Sequence, residues 1–136
     1  MEMMFGNTLN EGGLDARMLD FIFGRPLADT IKMFGIRLEM KKVFPELEFV
    51  AIPFDHPIYH QKYDFDKGLP KIHEHDGEPP QGLGLIYKGR LIVFYSFESD
   101  LGNGWEDQSI YNDPEEVRQK ALKMGANIIS YAFTYN

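Results

Sequence analysis

The stretch Phe49–Tyr63, F-V-A-I-P-F-D-H-P-I-Y-H-Q-K-Y, joins an apolar run that belongs in a core to a tight group of residues that can do chemistry. Glu48–Ile52 is predicted as a strand that ends at Pro53, and Asp55, His56 and His60 follow directly after it. In open α/β sheets ligands sit beyond the carboxyl ends of strands, so polar side chains placed there form the first candidate site. His56 and His60 are four residues apart and can face one ligand, with Asp55 orienting an imidazole from behind. The plainer alternative makes Asp55 a turn cap and leaves both histidines packing near the surface.

Upstream, Leu27–Phe44 reads as a helix that starts after Pro26 and is stopped by Pro45. Ile36, Met40, Val43 and Phe44 form its apolar face, with Arg37, Glu39, Lys41 and Lys42 on the wet side. Gly35 inside it costs about 1 kcal/mol relative to Ala. Leu14–Phe23 is predicted as a short helix, and residues 1–24 as a whole as an N-terminal arm.

Downstream, the Pro- and Gly-rich segment Lys67–Gln81 is a surface loop. Leu83–Tyr87 and Arg90–Tyr95 flank Lys88-Gly89 in the pattern of a hairpin, and the unalternating run L-I-V-F-Y (91–95) suggests a strand buried on both faces. If Glu48–Ile52 and Arg90–Tyr95 are neighbouring parallel strands, Asp55 or His56 approaches Asp100 or Glu106. In the loop Ser96–Glu106, Asp100 and Glu106 supply carboxylates and Trp105 a flat binding surface, unless the loop is simply a turn anchored by a buried Trp. Asp113, Pro114 and Glu116 are placed as N-cap, N1 and N3 of a last helix, Pro114–Phe133, whose stripe Val117, Ala121, Met124, Ile128, Tyr131 and Tyr135 runs through Gly125. Ile128, Ile129 and Ala132 are expected to be buried on the sheet. The competing reading stops the helix at Gly125 and makes 127–134 a strand.

Composition limits the function classes. The 136 residues suit a single domain, 1–136, burying roughly two thirds of its unfolded surface. A formal charge of -7 repels phosphate backbones and anionic membranes, so neither nucleic acid nor a membrane is an expected partner. The chain has no cysteine, which removes disulfides, thiolate metal sites and a Cys nucleophile. No export signal or run of about 18 apolar residues is present, which leads to the expectation of a cytoplasmic protein. His73 and His75, in K-I-H-E-H-D, face the same way in an extended chain and can add metal ligands, although their loop setting equally suits adventitious binding.

The blocks I-R-L-E-M-K-K-V-F-P (36–45), D-H-P-I-Y-H (55–60), G-R-L-I-V-F-Y-S (89–96), D-L-G-N-G-W-E (100–106) and A-L-K-M-G-A-N-I-I-S-Y-A-F-T (121–134) resemble, in this order, the domain of unknown function family 4159. That family is grouped with the class I glutamine amidotransferase-like superfamily. The resemblance spans residues 36–134 and implies a three-layer α/β fold with a flavodoxin-like sheet. The sheet would be truncated on its N-terminal side, because Gly12-Gly13-Leu14 runs into D-A-R-M rather than a strand. Without a cysteine the superfamily's glutaminase chemistry is excluded.

Two function classes follow. The first is a non-catalytic binding or assembly module on an amidotransferase-like scaffold. The second is a metal-dependent hydrolase, its divalent metal held by His56 and His60, with Asp55 and Asp100 completing the site. A truncated sheet leaves edges and apolar patches to cover, so a homodimer is expected, with the Met3–Phe23 arm in or near its interface; the alternative is a monomer in which that arm folds back over its own sheet.

Overall fold

The computed structural model describes residues 27–134 apart from Asp76, with side chains from Met33 onward. The helix expected over Leu14–Phe23, the 1–24 arm and Tyr135 lie outside the described residues. Two compact units alternate along the chain: one takes the described residues up to Ala51 together with Leu83–Phe94, and the other takes Ile52–Gly82 and the chain from Tyr95 on.

The first unit opens with helix α1, Leu27–Val43, which ends two residues before Pro45 as expected from the sequence. Its buried face is rotated by about one residue from the predicted one. Met33 and Arg37 are buried, Met40 and Phe44 are half-buried, and Ile36 and Val43, expected in the core, are exposed. Arg37, predicted on the wet side, is only 5% exposed. A buried guanidinium needs a counter-charge, and Glu48 supplies it at 3.2 Å, while Lys41 reaches the other Glu48 oxygen at 2.5 Å. The strand predicted over Glu48–Ile52 is the two-residue β1, Val50–Ala51.

Strand β2, Gln81–Tyr87, and strand β3, Arg90–Phe97, form the expected hairpin. Lys88 and Gly89 both have positive φ, 51° and 80°, as a two-residue turn that follows strand twist requires. The sheet order is β1-β2-β3, and β1 pairs antiparallel with β2 through Val50 with Gly84 and Ala51 with Leu83. Glu48–Ile52 and Arg90–Tyr95 are therefore not neighbours, because β2 lies between them. A two-residue connection can only return the chain antiparallel, so the hairpin settles β3 against β2, and the β1–β2 pairing makes the rest of the sheet antiparallel. The parallel, doubly wound sheet of a flavodoxin-like fold is not seen among the described residues. Residues 92–96 of β3 are half-buried rather than enclosed on both faces.

In the second unit the chain after Ile52 makes a cross-linked loop around a 3-10 turn, Pro57–Tyr59, whose Ile58 and Tyr59 are buried. It is followed by a second 3-10 turn, Leu101–Trp105, a short helix α2, Gln108–Tyr111, and the long helix α3, Glu115–Thr134. Helix α3 passes through Gly125 unbroken, so the helical stripe and not the local β-propensity of I-I-S-Y-A-F-T governs this segment. Its buried residues are Ala121, Met124, Asn127 and Tyr131. Ile128 is half-buried, while Ile129, at 61%, and Ala132 are exposed, contrary to the expected burial of all three. Gly104 lies so close to Ala121 that an added Cβ would sit 2.4 Å from the Ala121 Cβ, which brings the Leu101–Trp105 turn down onto α3. None of the described helices is long and apolar enough to cross a membrane.

Candidate metal centre

Local backbone ties bring together three segments of the second unit. The amides of Ile72 and His73 both donate to the Ser99 carbonyl, at 2.8 and 3.4 Å, and the Ser99 hydroxyl donates to the Pro70 carbonyl at 2.6 Å. The 70–73 and 98–100 segments thus run side by side. Asp100 adopts the left-handed region, φ 58°, at the head of the Leu101–Trp105 turn, and its carboxylate caps nothing there. That conformation is uncommon outside glycine but tolerated by Asp, and the free carboxylate turns to two imidazoles instead.

Asp100 Oδ2 lies 3.1 Å from His73 Nδ1 and 2.5 Å from His75 Nε2. One nitrogen from each ring and the carboxylate oxygen all fall within 4.8 Å of one another. On its far side, His73 Nε2 lies 2.7 Å from Asp113 Oδ1. Asp113 is 7% exposed and stands between α2 and α3. The turn before it is set by Asn112, φ 57°, whose amide donates to the Gln108 carbonyl, and by the Gln108 amide group, which donates to the Asp113 carbonyl at 3.0 Å. The Tyr111 ring leans on His73 with centroids 5.3 Å apart.

Protons decide what this geometry can do. Asp113 can only accept from His73 Nε2, so that nitrogen carries hydrogen and, in the neutral ring, Nδ1 presents a lone pair. A lone pair facing a carboxylate oxygen already approached by His75 requires positive charge between them, either a second ring proton or a cation. For the Asp100 carboxyl, burial pushes the pKa up, but the hydrogen bonds from His75 and His73 and their charges outweigh it and hold the group below the ordinary carboxylate range. Two imidazoles and a carboxylate are the donors that zinc, iron, cobalt and nickel favour. Bonds of roughly 2.0–2.2 Å to one ion put ligand atoms about 3 Å apart, which the 3.1 Å between His73 Nδ1 and Asp100 Oδ2 matches and the 2.5 Å from His75 Nε2 falls short of.

The residues singled out after the central strand are placed differently. His56 Nδ1 accepts from the Ile58 amide at 3.1 Å, capping the 3-10 turn, and its ring leans on Tyr131. Burial lowers the His56 pKa, against the raising effect of the Asp55 charge. His60 donates from Nε2 to the Phe54 carbonyl at 2.8 Å and meets Asp64 through Nδ1 at 3.0 Å. Neither histidine belongs to the convergent group, and Asp55 is an exposed turn residue. Trp105 donates its indole N–H to the Ala121 carbonyl at 2.8 Å while 46% of the residue stays exposed, and Glu106 is exposed at the end of the same turn. Of the residues expected in the site, Asp100 therefore meets His73 and His75, while His56, His60, Trp105 and Glu106 have separate structural contacts. The spacing H-x-H at 73 and 75 is the sequence signal for the cluster. Asp113 carries no such signal, since its position reads as a helix cap.

His60 gives a pH prediction. The hydrogen bond to Asp64 and then that to the Phe54 carbonyl raise its pKa. A histidine raised on folding adds stability that is fully present below its unfolded value, about 6.5, and is lost as pH rises through the folded value. An NMR titration should place the His60 midpoint above 6.5, with Asp64→Asn moving it down. An unmoved midpoint in that variant would remove Asp64 as the cause.

Fold and site together define an α/β protein with a small antiparallel sheet and a solvent-accessible cluster of two histidines and an aspartate. The chain belongs to the family described as Domain of unknown function (DUF4159), whose family model matches residues 15–133. No curated protein and no solved structure matches it.

Proposed function

We propose that this domain binds a divalent transition metal through His73 Nδ1, His75 Nε2 and an Asp100 carboxylate oxygen, and that its chemistry is metal-dependent hydrolysis. The observation that carries the reading is the convergence of these three donors, with the second nitrogen of His73 already held by a buried carboxylate. Three protein ligands leave coordination positions open, the pattern of catalytic rather than structural zinc sites. An ion held there would act as a Lewis acid and lower the pKa of a bound water. The protein's own part is to hold His73 with hydrogen on Nε2 and to bring the three donors to one place. The absence of cysteine confines any relation to the amidotransferase-like superfamily and its flavodoxin-like sheet to the scaffold.

Metal analysis of untagged protein, followed by zinc titration calorimetry, tests this. About one equivalent of a divalent transition metal is expected, lost in His73→Ala and in Asp100→Asn but kept in His56→Ala. Absence of both bound metal and zinc uptake by the folded wild-type protein would overturn the reading.

A second reading, a non-catalytic assembly module, draws on one face of α3. There Leu122, Ile129 and Phe133 are exposed, and Trp105, Leu122, Gly125, Ala126, Ile128 and Ile129 line a groove of about 470 Å³. A second copy of the chain, presenting the same face across a two-fold axis, would cover it. Light scattering at micromolar concentration separates the two states, and a mass that stays monomeric as concentration rises excludes the homodimer.

A further inference from the structure

His73 is gripped on three sides. Its Nδ1 faces Asp100, the Tyr111 ring lies against it, and its Nε2 meets Asp113 at 2.7 Å. The last contact spans forty residues of sequence. Helix α3 starts at Glu115, one residue later than the sequence suggests: the Val117 and Arg118 amides donate to the Pro114 carbonyl, so Pro114 holds the cap position expected for Asp113, and the Asp113 carboxylate goes to the imidazole. Burying an ionised carboxylate is costly unless it receives a strong hydrogen bond, and the charge-assisted contact with a ring N–H supplies one.

We infer that Asp113 is a positioning residue for the metal centre: it holds His73 with hydrogen on Nε2, fixes the plane of the ring against Tyr111, and makes Nδ1 a stronger donor toward the ion. This rests on the metal-binding reading above and adds to it a residue that touches no metal. Carboxylates that accept from the outer nitrogen of a metal-bound histidine typically change affinity by 10–100-fold when removed. The aspartate also pulls electron density into the ring, so its loss should alter the ligand field at the ion and not only the affinity.

The test distinguishes positioning from packing, because Asn has the shape of Asp without its charge. Zinc affinity by calorimetry and the visible spectrum of the cobalt(II)-loaded protein are measured for wild type, Asp113→Asn and Asp113→Glu. The Asn variant is expected to melt near the wild type, to bind zinc roughly 10–100-fold more weakly and to show a shifted cobalt spectrum, with Glu restoring part of both. Should the Asn variant fail to fold, Asp113→Ser, small enough to fit and too short to reach Nε2, gives the same readout. Equal zinc affinity and an unshifted cobalt spectrum in a folded variant would overturn the assignment while leaving the metal centre standing. A folded wild-type protein that binds neither ion would instead bring down the metal centre, and the positioning role with it.

Discussion

Glu48→Ala is expected to lower stability by about 2–4 kcal/mol, because it removes a carboxylate 3.2 Å from the buried Arg37 guanidinium. Arg37 is 5% exposed and Glu48 lies 3.2 Å away, so water cannot easily take the carboxylate's place. Lys41, the second partner of Glu48, is half-exposed and can return to solvent, so it adds little to the loss. The double variant Arg37→Met, Glu48→Leu should recover most of the stability, since apolar residues of similar size often replace a buried ion pair without net cost. Urea denaturation of the single and the double variant measures this. A loss under about 1 kcal/mol for Glu48→Ala would mean that the pair behaves as an exposed one.

The second large effect is expected at Asn127, which is 0% exposed on the inner face of α3. Its side chain works as a substitute backbone: Oδ1 accepts from the Tyr63 amide at 3.0 Å, and Nδ2 donates to the Tyr63 carbonyl at 2.7 Å. One residue thereby satisfies a donor and an acceptor of a loop that has no strand partner at that point. Asn127→Leu fills similar space but leaves both groups unpaired, at about 1–3 kcal/mol each when buried. Because Tyr63 is only half-buried, a total of about 2–4 kcal/mol is expected. Asn127→Asp should be no better, since its second oxygen would face the Tyr63 carbonyl as another acceptor. Equilibrium unfolding checks both variants, and near-wild-type stability for either would show that water replaces the amide.

Ser130 adds to the same junction by donating to Gln61 Oε1 at 3.1 Å. Buried Ala121, Met124 and Tyr131 supply the apolar part of the α3 inner face. The sequence stripe named these three correctly but included Ile128 where the polar Asn127 is the fully buried residue. A hydrophobic period identifies a helix and its approximate face, whereas a buried amide is recognisable only once its partner is known. Tyr63 is 64 residues away in sequence. The same limit explains Arg37: on charge alone it belongs outside, and its burial makes sense once Glu48, eleven residues later, is seen beside it.

What the sequence determined by itself is what short-range sterics and periodicity control. Pro45 limits α1, the positive-φ pair Lys88-Gly89 closes a two-residue hairpin, and an unbroken apolar stripe carries α3 through Gly125. Each of these is settled within a turn or two of chain. The place of β1 beside β2, the burial of Arg37 and Asn127, and the convergence of His73, His75 and Asp100 were decided by tertiary structure alone. His73 and His75 carry a visible H-x-H spacing, but Asp100 reaches them from 27 and 25 residues away and Asp113 reaches His73 from 40. Metal donors need a common point in space rather than a common pattern in sequence, and that point exists because Ser99 ties the two loop segments together while α2 brings Asp113 behind the ring.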